Sequence, residues 1–279
     1  MKKFKIYLAG GSVLQADKTL IMGILNATPD SFSDGGDLDN PKQLKERIRQ
    51  MLAEGADILD VGGESTRPGH GKVEADEELA RIIPVIKTIR GITKDIPISV
   101  DTQKAAVAAG ALEAGADIIN DISALSDKKM AGIVKQHNCS IILMRNEPTG
   151  MDTVAGCREQ FKKILKKAEN QGLDKKYLLL DAGLGFGDLK TGNYKVSPGS
   201  DPHANVLLII NIDKYSLGMP VVIGASRKRF IGDMTGVENA KDRLAGSLAA
   251  AVMAEQAGAA IIRVHDVAET VSAFRNIHY

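Results

Sequence analysis

Short apolar runs recur along the chain, and between them lie longer stretches in which apolar positions return every three or four residues. The first kind reads as buried strand and the second as amphipathic helix. The strand runs are Ile21–Leu25, Ile58–Val61, Ile98–Val100, Ile118–Ile119, Ile141–Met144, Leu178–Leu180, Val221–Ile223 and Ile261–Val264. Helices are predicted between them, among others over Pro41–Glu54, Glu77–Arg90, Lys104–Ala114 and Ala240–Gln256. Ala204–Leu217 is mixed. Its Val-Leu-Leu-Ile-Ile run favours strand by propensity, but Val206, Ile209 and Ile212 recur at helical spacing, and a helix is expected. The spacing of about 35 residues per unit is that of a βα repeat. The fold class this implies is α/β, a (β/α)8 TIM barrel filling residues 1–279 as one domain. Within residues 1–19, Lys5–Leu8 and the Gly10-Gly11 pair predict a β-hairpin at the lower end of the barrel. Gly55, Gly115 and Gly258 each precede a strand run, where a left-handed glycine would end the preceding helix.

Composition narrows the partners. The 36 Lys+Arg nearly cancel the 35 Asp+Glu, so a basic nucleic-acid surface is not expected. Trp is absent and aromatics are 4%, which speaks against a site built from stacked rings. No apolar run approaches the roughly 20 residues needed to span a bilayer. Cys139 and Cys157 are too few for a disulfide framework and lack zinc spacing. A cytoplasmic enzyme without membrane or nucleic-acid partners is the expectation.

Polar residues follow the strand runs, at the face where barrel enzymes hold their active sites: Asn26, Glu64–Pro68, Asp101, Asn120, Arg145, Asp181, Ser226–Lys228, and Arg263 with His265. Any one of them could cap the next helix. Together they sort into two chemistries. Asp101, Asn120, Asp181 and Lys228 offer the acceptors and the ammonium that would grip the edge of a guanine-like heterocycle. Arg263, His265, Thr66-Arg67 and the amides of residues 30–36 suit an anion. A diphosphate there would call for Mg²⁺, with the Asn26 amide oxygen as its candidate ligand.

Two segments carry a specific resemblance. Gly23-Ile24-Leu25-Asn26-Ala27-Thr28-Pro29-Asp30-Ser31-Phe32-Ser33-Asp34-Gly35-Gly36 and Asp60-Val61-Gly62-Gly63-Glu64-Ser65-Thr66-Arg67-Pro68-Gly69 closely resemble the signature segments of the dihydropteroate synthase family. Ser99–Thr102, Asn120-Asp121-Ile122, Asp181–Gly187, Gly224–Lys228 and Arg263–Val267 follow in the family's order. The resemblance implies an enzyme that joins 6-hydroxymethyl-7,8-dihydropterin diphosphate to p-aminobenzoate in folate biosynthesis. It implies a pterin pocket of Asp101, Asn120, Asp181 and Lys228 with Ile122, Met144 and Phe186. It further implies a magnesium ligand at Asn26 and diphosphate anchors at Arg263 and His265. Loops around 27–40 and 62–73 would close over the reaction, with Phe32, Thr66, Pro68 and Arg229 bordering the aminobenzoate and Arg67 among the substrate-binding residues. These residues act by positioning and charge stabilisation, so no nucleophile or general base is expected. The resemblance also implies a homodimer and sensitivity to sulfonamides.

Three features depart from the family pattern. Met144-Arg145-Asn146 stands where Met-His-Met is usual, Asp181-Ala182-Gly183 stands for Asp-Pro-Gly, and residues 188–203 form a longer connection. Ala182 thereby lacks a proline that would fix φ beside Asp181. These departures keep open a pterin-binding paralogue with no activity or another substrate. A pterin-dependent methyltransferase is the other alternative, although it would give the anion-binding segments little to do.

Overall fold

The computed structural model describes residues 3–27, 40–64, 73–146, 153–186 and 201–277. The chain opens with β1 (Phe4–Tyr7) and β2 (Val13–Ala16), an antiparallel hairpin. Eight strands then close a parallel barrel: β3 (Leu20–Asn26), β4 (Ile58–Gly62), β5 (Ile98–Asp101), β6 (Ile118–Asp121), β7 (Ile141–Met144), β8 (Leu178–Asp181), β9 (Val221–Ile223) and β10 (Ile261–Val264). Ring closure comes from β10, which pairs with both β9 and β3. The expected strands and the hairpin are all present.

Between the strands run α1 (Pro41–Glu54), α2 (Ala75–Ile92), α3 (Ala105–Glu113), α4 (Met130–His137) and α5 (Val154–Asn170). After β8 come α6 (Pro202–Ile210) and α7 (Ile212–Tyr215), then α8 (Arg229–Thr235), α9 (Leu244–Gln256) and α10 (Val267–Ile277). The helix expected over 204–217 is thus two, because Asn211 leaves helical geometry at φ −124°, ψ 33°. Gly55, Gly115 and Gly258 take φ of 98°, 112° and 89°, the left-handed turns expected before a strand.

Strand side chains alternate between two apolar layers. Ile21, Leu25, Leu59, Val61, Val100, Ile119, Leu143, Leu180, Ile223 and Ile262 face the helices. Met22, Ile58, Ile118, Ile142, Leu179, Val222 and Ile261 fill the barrel, and the hairpin's Ile6 and Ala16 join them from below. The hairpin is tied on through Ser140, with Tyr7 N–H donating to Ser140 Oγ (2.9 Å) and Ser140 N–H donating to the Tyr7 carbonyl (2.7 Å). Burying Ile6 contributes about 2 kcal/mol.

The functional consequence lies one step along the same inward parity. Two residues beyond Ile58, Ile118, Leu179 and Ile261 stand Asp60, Asn120, Asp181 and Arg263. Each of these four strands therefore carries an apolar plug residue low in the barrel and a polar residue toward its carboxyl end.

Candidate active site

The inward polar residues meet. Arg263 Nε donates to Asp60 Oδ2 at 2.6 Å, and Arg263 Nη2 donates to Asp101 Oδ2 at 3.0 Å. Asn120 Nδ2 donates to Asp60 Oδ2 at 3.4 Å. The register places Asn120 directly beside Asp101 and Asp181 beside Met144. Lys228, which precedes α8, sets its ammonium 3.6 Å from the centroid of the Phe186 ring. Among the described residues, Asp60 Oδ1 and Asn120 Oδ1 are buried acceptors without a hydrogen-bond partner. Such acceptors are costly to bury unless a ligand supplies donors.

The cluster draws together the two sets that the sequence separated, because Arg263 of the anion set is gripped by Asp101 of the heterocycle set and by Asp60. Asp60 was not singled out by sequence reasoning. Its signal is a carboxylate at an inward position of an otherwise apolar run, Ile58-Leu59-Asp60-Val61.

Electrostatics set these groups under tension. Burial raises the Asp101 carboxyl to about 7; Asp60 and Glu78 push the same way, while Arg263 and Lys228 oppose it. Burial likewise raises Asp181, against the Gly183 N–H and the nearby cations. Burial lowers the Lys228 ammonium to about 7, with Arg263 adding to the shift and Asp181 and Asp101 resisting it. Arg263 goes the other way. Burial alone would lower its guanidinium, but Asp60, Asp101 and Asp181 outweigh that and raise it.

A second knot joins the loops after β9 and β10. Arg227 holds the left-handed backbone, φ 58°, uncommon for a side chain of its size. Its guanidinium pairs with both Asp266 oxygens (2.6 and 3.1 Å), while its N–H donates to Ser247 Oγ and its carbonyl accepts from Arg243. On either side of Arg227, Ser226 Oγ accepts the His265 N–H (3.2 Å) and lies 3.0 Å from His265 Nδ1, and Lys228 reaches Phe186. Asp266→Ala removes this charge-assisted pair, and a loss of about 2 kcal/mol is expected. Thermal unfolding should show it, and calorimetry should show weaker diphosphate binding. Unchanged diphosphate affinity would count against the expected role of His265 as an anchor held by this knot.

Glu64 sits in a third cluster. Lys104 bonds both Glu64 Oε2 and Glu78 Oε2 at 2.5 Å, and Glu64 Oε1 accepts the Val73 N–H at 3.2 Å. Asn26 ends β3 at the mouth. A Cβ placed on Gly62 would lie 3.7 Å from both Asn26 Oδ1 and Asp101 Cβ, so the glycine keeps the space between these two side chains open. Ile122 and Met144 are buried, and the Ile122 carbonyl accepts from Asn146 Nδ2 at 3.2 Å. Arg229 is not drawn into the buried group; it is exposed on α8, 3.8 Å from Asp233. Thr66, Arg67 and Pro68 lie outside the described residues, as do Phe32, most of the 27–40 and 62–73 segments, and residues 187–200.

An inward ring of carboxylates, amide and cations at the carboxyl mouth of a (β/α)8 barrel defines a class of enzyme that seizes a nitrogen heterocycle, and comparison supplies the family. A family model described as "Pterin binding enzyme" matches residues 22–265. The dihydropteroate synthase of Bacillus subtilis is 43% identical over 257 residues, 90% of this chain and 85% of that one. A Xanthomonas albilineans dihydropteroate synthase with 4-aminobenzoic acid superposes with a TM-score of 0.86 at 39% identity, covering 99% of this chain and 98% of that one. A structure of the synthase from the same organism with 7,8-dihydropteroate gives 0.81 at 35% identity, covering 98% and 97%. The chain belongs to the dihydropteroate synthase family, transferases of folate biosynthesis.

Proposed function

We propose that the mouth of this barrel seats 6-hydroxymethyl-7,8-dihydropterin diphosphate by its ring and transfers the pterin methylene to p-aminobenzoate. The observation that carries the assignment of residues is the set of Asp101, Asn120, Asp181 and Lys228, with Asn120 and Asp181 buried and Asp101 and Lys228 half-buried at the mouth. Its carboxyl oxygens and the unpartnered Asn120 Oδ1 match the N–H groups of an amino-pyrimidinone, and the Lys228 ammonium matches a ring carbonyl or ring nitrogen. Ile122, Met144 and Phe186 supply apolar walls. His265, oriented by Ser226, and Arg263 hold the diphosphate, and Thr66, Arg67, Pro68 and Arg229 border the aminobenzoate.

The C–O bond to diphosphate breaks first, the electron pair leaving with diphosphate, and the electron-rich ring stabilises the methylene cation. The aniline nitrogen forms the new C–N bond and then releases its proton to water or diphosphate. Barrel residues position both partners and exclude water that would capture the cation. Among the described residues no group of three or more His, Cys, Asp or Glu could hold a metal, so a protein cage is absent from this donor set. A hard cation that keeps its waters and takes phosphate oxygens needs only one protein oxygen, and Asn26 at the mouth fits that demand. Mg²⁺ bound there would neutralise charge on the departing diphosphate.

A second copy of the chain is the expected protein partner, since α6 exposes Leu207 and Ile210 on one side. Two buried cysteines, Cys139 and Cys157, fit a reducing cytoplasm. No helix among the described residues is long and apolar enough to cross a membrane.

Incubation with both substrates and Mg²⁺ should yield 7,8-dihydropteroate, and sulfonamide analogues of aminobenzoate should compete with it. Asp181→Asn is expected to lower kcat/KM for the pterin substrate by roughly 10- to 100-fold, the loss of one charge-assisted contact, with an unchanged circular dichroism spectrum. Parental kinetics in that variant would remove the pocket assignment.

A further inference from the structure

The residues after β7 do more than leave the barrel. Arg145 is buried at 6% exposure, and both its main chain and its side chain turn to the end of β8. Its N–H donates to the Asp181 carbonyl at 2.9 Å, and its Nε donates to the Ala182 carbonyl at 2.9 Å. Asp181 Oδ1 in turn accepts the Gly183 N–H at 2.7 Å. The turn is therefore gripped at three consecutive residues, and it is tight. Gly183 has φ 64°, and a Cβ there would lie 2.3 Å from the Arg145 carbonyl oxygen. The next residue, Asn146, reaches the opposite way and donates to Ile122 O at 3.2 Å.

We propose that Arg145, with Asn146 beside it, is a positioning residue for the heterocycle pocket: it fixes the turn that aims the Asp181 carboxylate, while Asn146 fixes the Ile122 wall. The inference rests on the assignment of Asp181 to the pterin ring. The physical argument is one of preorganisation. A carboxylate pays less to bind a rigid ring when its backbone is already held. Ala182 leaves φ free at the residue after Asp181, so the carbonyl bond from Arg145 supplies a restraint that the local sequence lacks. The same guanidinium also lies close enough to oppose the burial of charge on Asp181.

The test uses Arg145→Met, which removes the side-chain donor and keeps an apolar stem of similar length, and Ala182→Pro, which restores a φ restraint by another route. Proline at 182 also gives up the ladder bond that the Asp181–Val222 pairing draws from the Ala182 N–H to the Val222 carbonyl, so Ala182→Pro alone is the reference for the double variant. Calorimetry with 6-hydroxymethylpterin should show Arg145→Met weakened at least tenfold, with the aminobenzoate KM within about twofold of the parent. Arg145→Met with Ala182→Pro should bind the pterin more tightly than Arg145→Met alone, and about as tightly as Ala182→Pro alone.

Pterin affinity within twofold of the parent in Arg145→Met would overturn the proposal. So would equal losses for both substrates accompanied by a lower Tm, which mark a purely structural role. The split between the substrates decides the matter independently of the rescue. Asp181→Asn separates the two levels: if it leaves pterin affinity unchanged, the pocket assignment fails, and if it weakens affinity while Arg145→Met does not, only the present proposal fails.

Discussion

Lys228→Met is expected to make the ligand-free protein more stable and the enzyme much worse. At pH 7 the Tm should rise by about 2–6 °C, while kcat/KM for the pterin substrate falls at least about tenfold. Burial lowers the folded lysine to about 7, against 10.5 for an ordinary one. Between those values the unfolded chain binds more protons than the folded, so stability rises with pH across that window. Below about 7 the folded state carries the full burden of a desolvated ammonium, even with Asp181 and Asp101 attracting it. Methionine packs against Phe186 without that burden. Asp101 acts in the mirror sense: raised from 3.8 to about 7, it imposes nothing at low pH and its full burden above 7. The Asp101 burden is common to both proteins, so the Tm gap between Lys228→Met and the parent should be full at and below about pH 7 and close as pH rises toward 10.5, and a bound pterin should narrow it. Thermal unfolding from pH 5 to 10, with and without 6-hydroxymethylpterin, checks this; a lower Tm in the variant at pH 7 would refute it.

Arg263→Met should do the opposite. Asp60 is fully buried and has one oxygen without a partner among the described residues, so the guanidinium is its main compensation. Removing one member of a buried pair costs about 3–5 kcal/mol, because the other charge is left stranded. In a chain of this size that corresponds to a Tm lower by about 10 °C. Diphosphate binding should be lost together with stability. The decisive control is Asp60→Asn with Arg263→Met, which removes the stranded charge. Its Tm should recover by several degrees, about half the loss or more, while diphosphate affinity stays low. If the double variant regained diphosphate affinity, Arg263 would be only a counter-ion to Asp60. Two cations a short reach apart at one mouth are thus expected to answer the same substitution with opposite signs, since one is over-compensated by carboxylates and the other under-compensated.

The barrel was legible because its strands are apolar runs of strand length and its helices repeat at their own period, both local properties of the chain. The position of each polar residue just past such a run was equally local, which is why Asp101, Asn120, Asp181, Lys228 and Arg263 emerged before any coordinates. What could not be read was which of them touch. Arg263 lies 203 residues from Asp60 and 162 from Asp101, and no periodicity encodes a contact at that separation. Asp60 was hidden for a related reason: it interrupts an apolar run, and only the pleat shows that it points inward. The left-handed Arg227 defies propensity altogether, because the bonds that hold it come from Asp266, Ser247 and Arg243. Arg145 and Ala182 looked like two unrelated departures, and the fold makes them one contact.

The hairpin of β1 and β2 caps a barrel whose interior is already filled by inward apolar side chains. With its floor stoppered by Ile6 and Ala16, traffic has one doorway, at the strands' carboxyl ends. On the pocket assignment proposed above, a ring lodged against Asp181 has to enter ahead of its partner, and it leaves by the same doorway joined to that partner, after diphosphate has cleared the way.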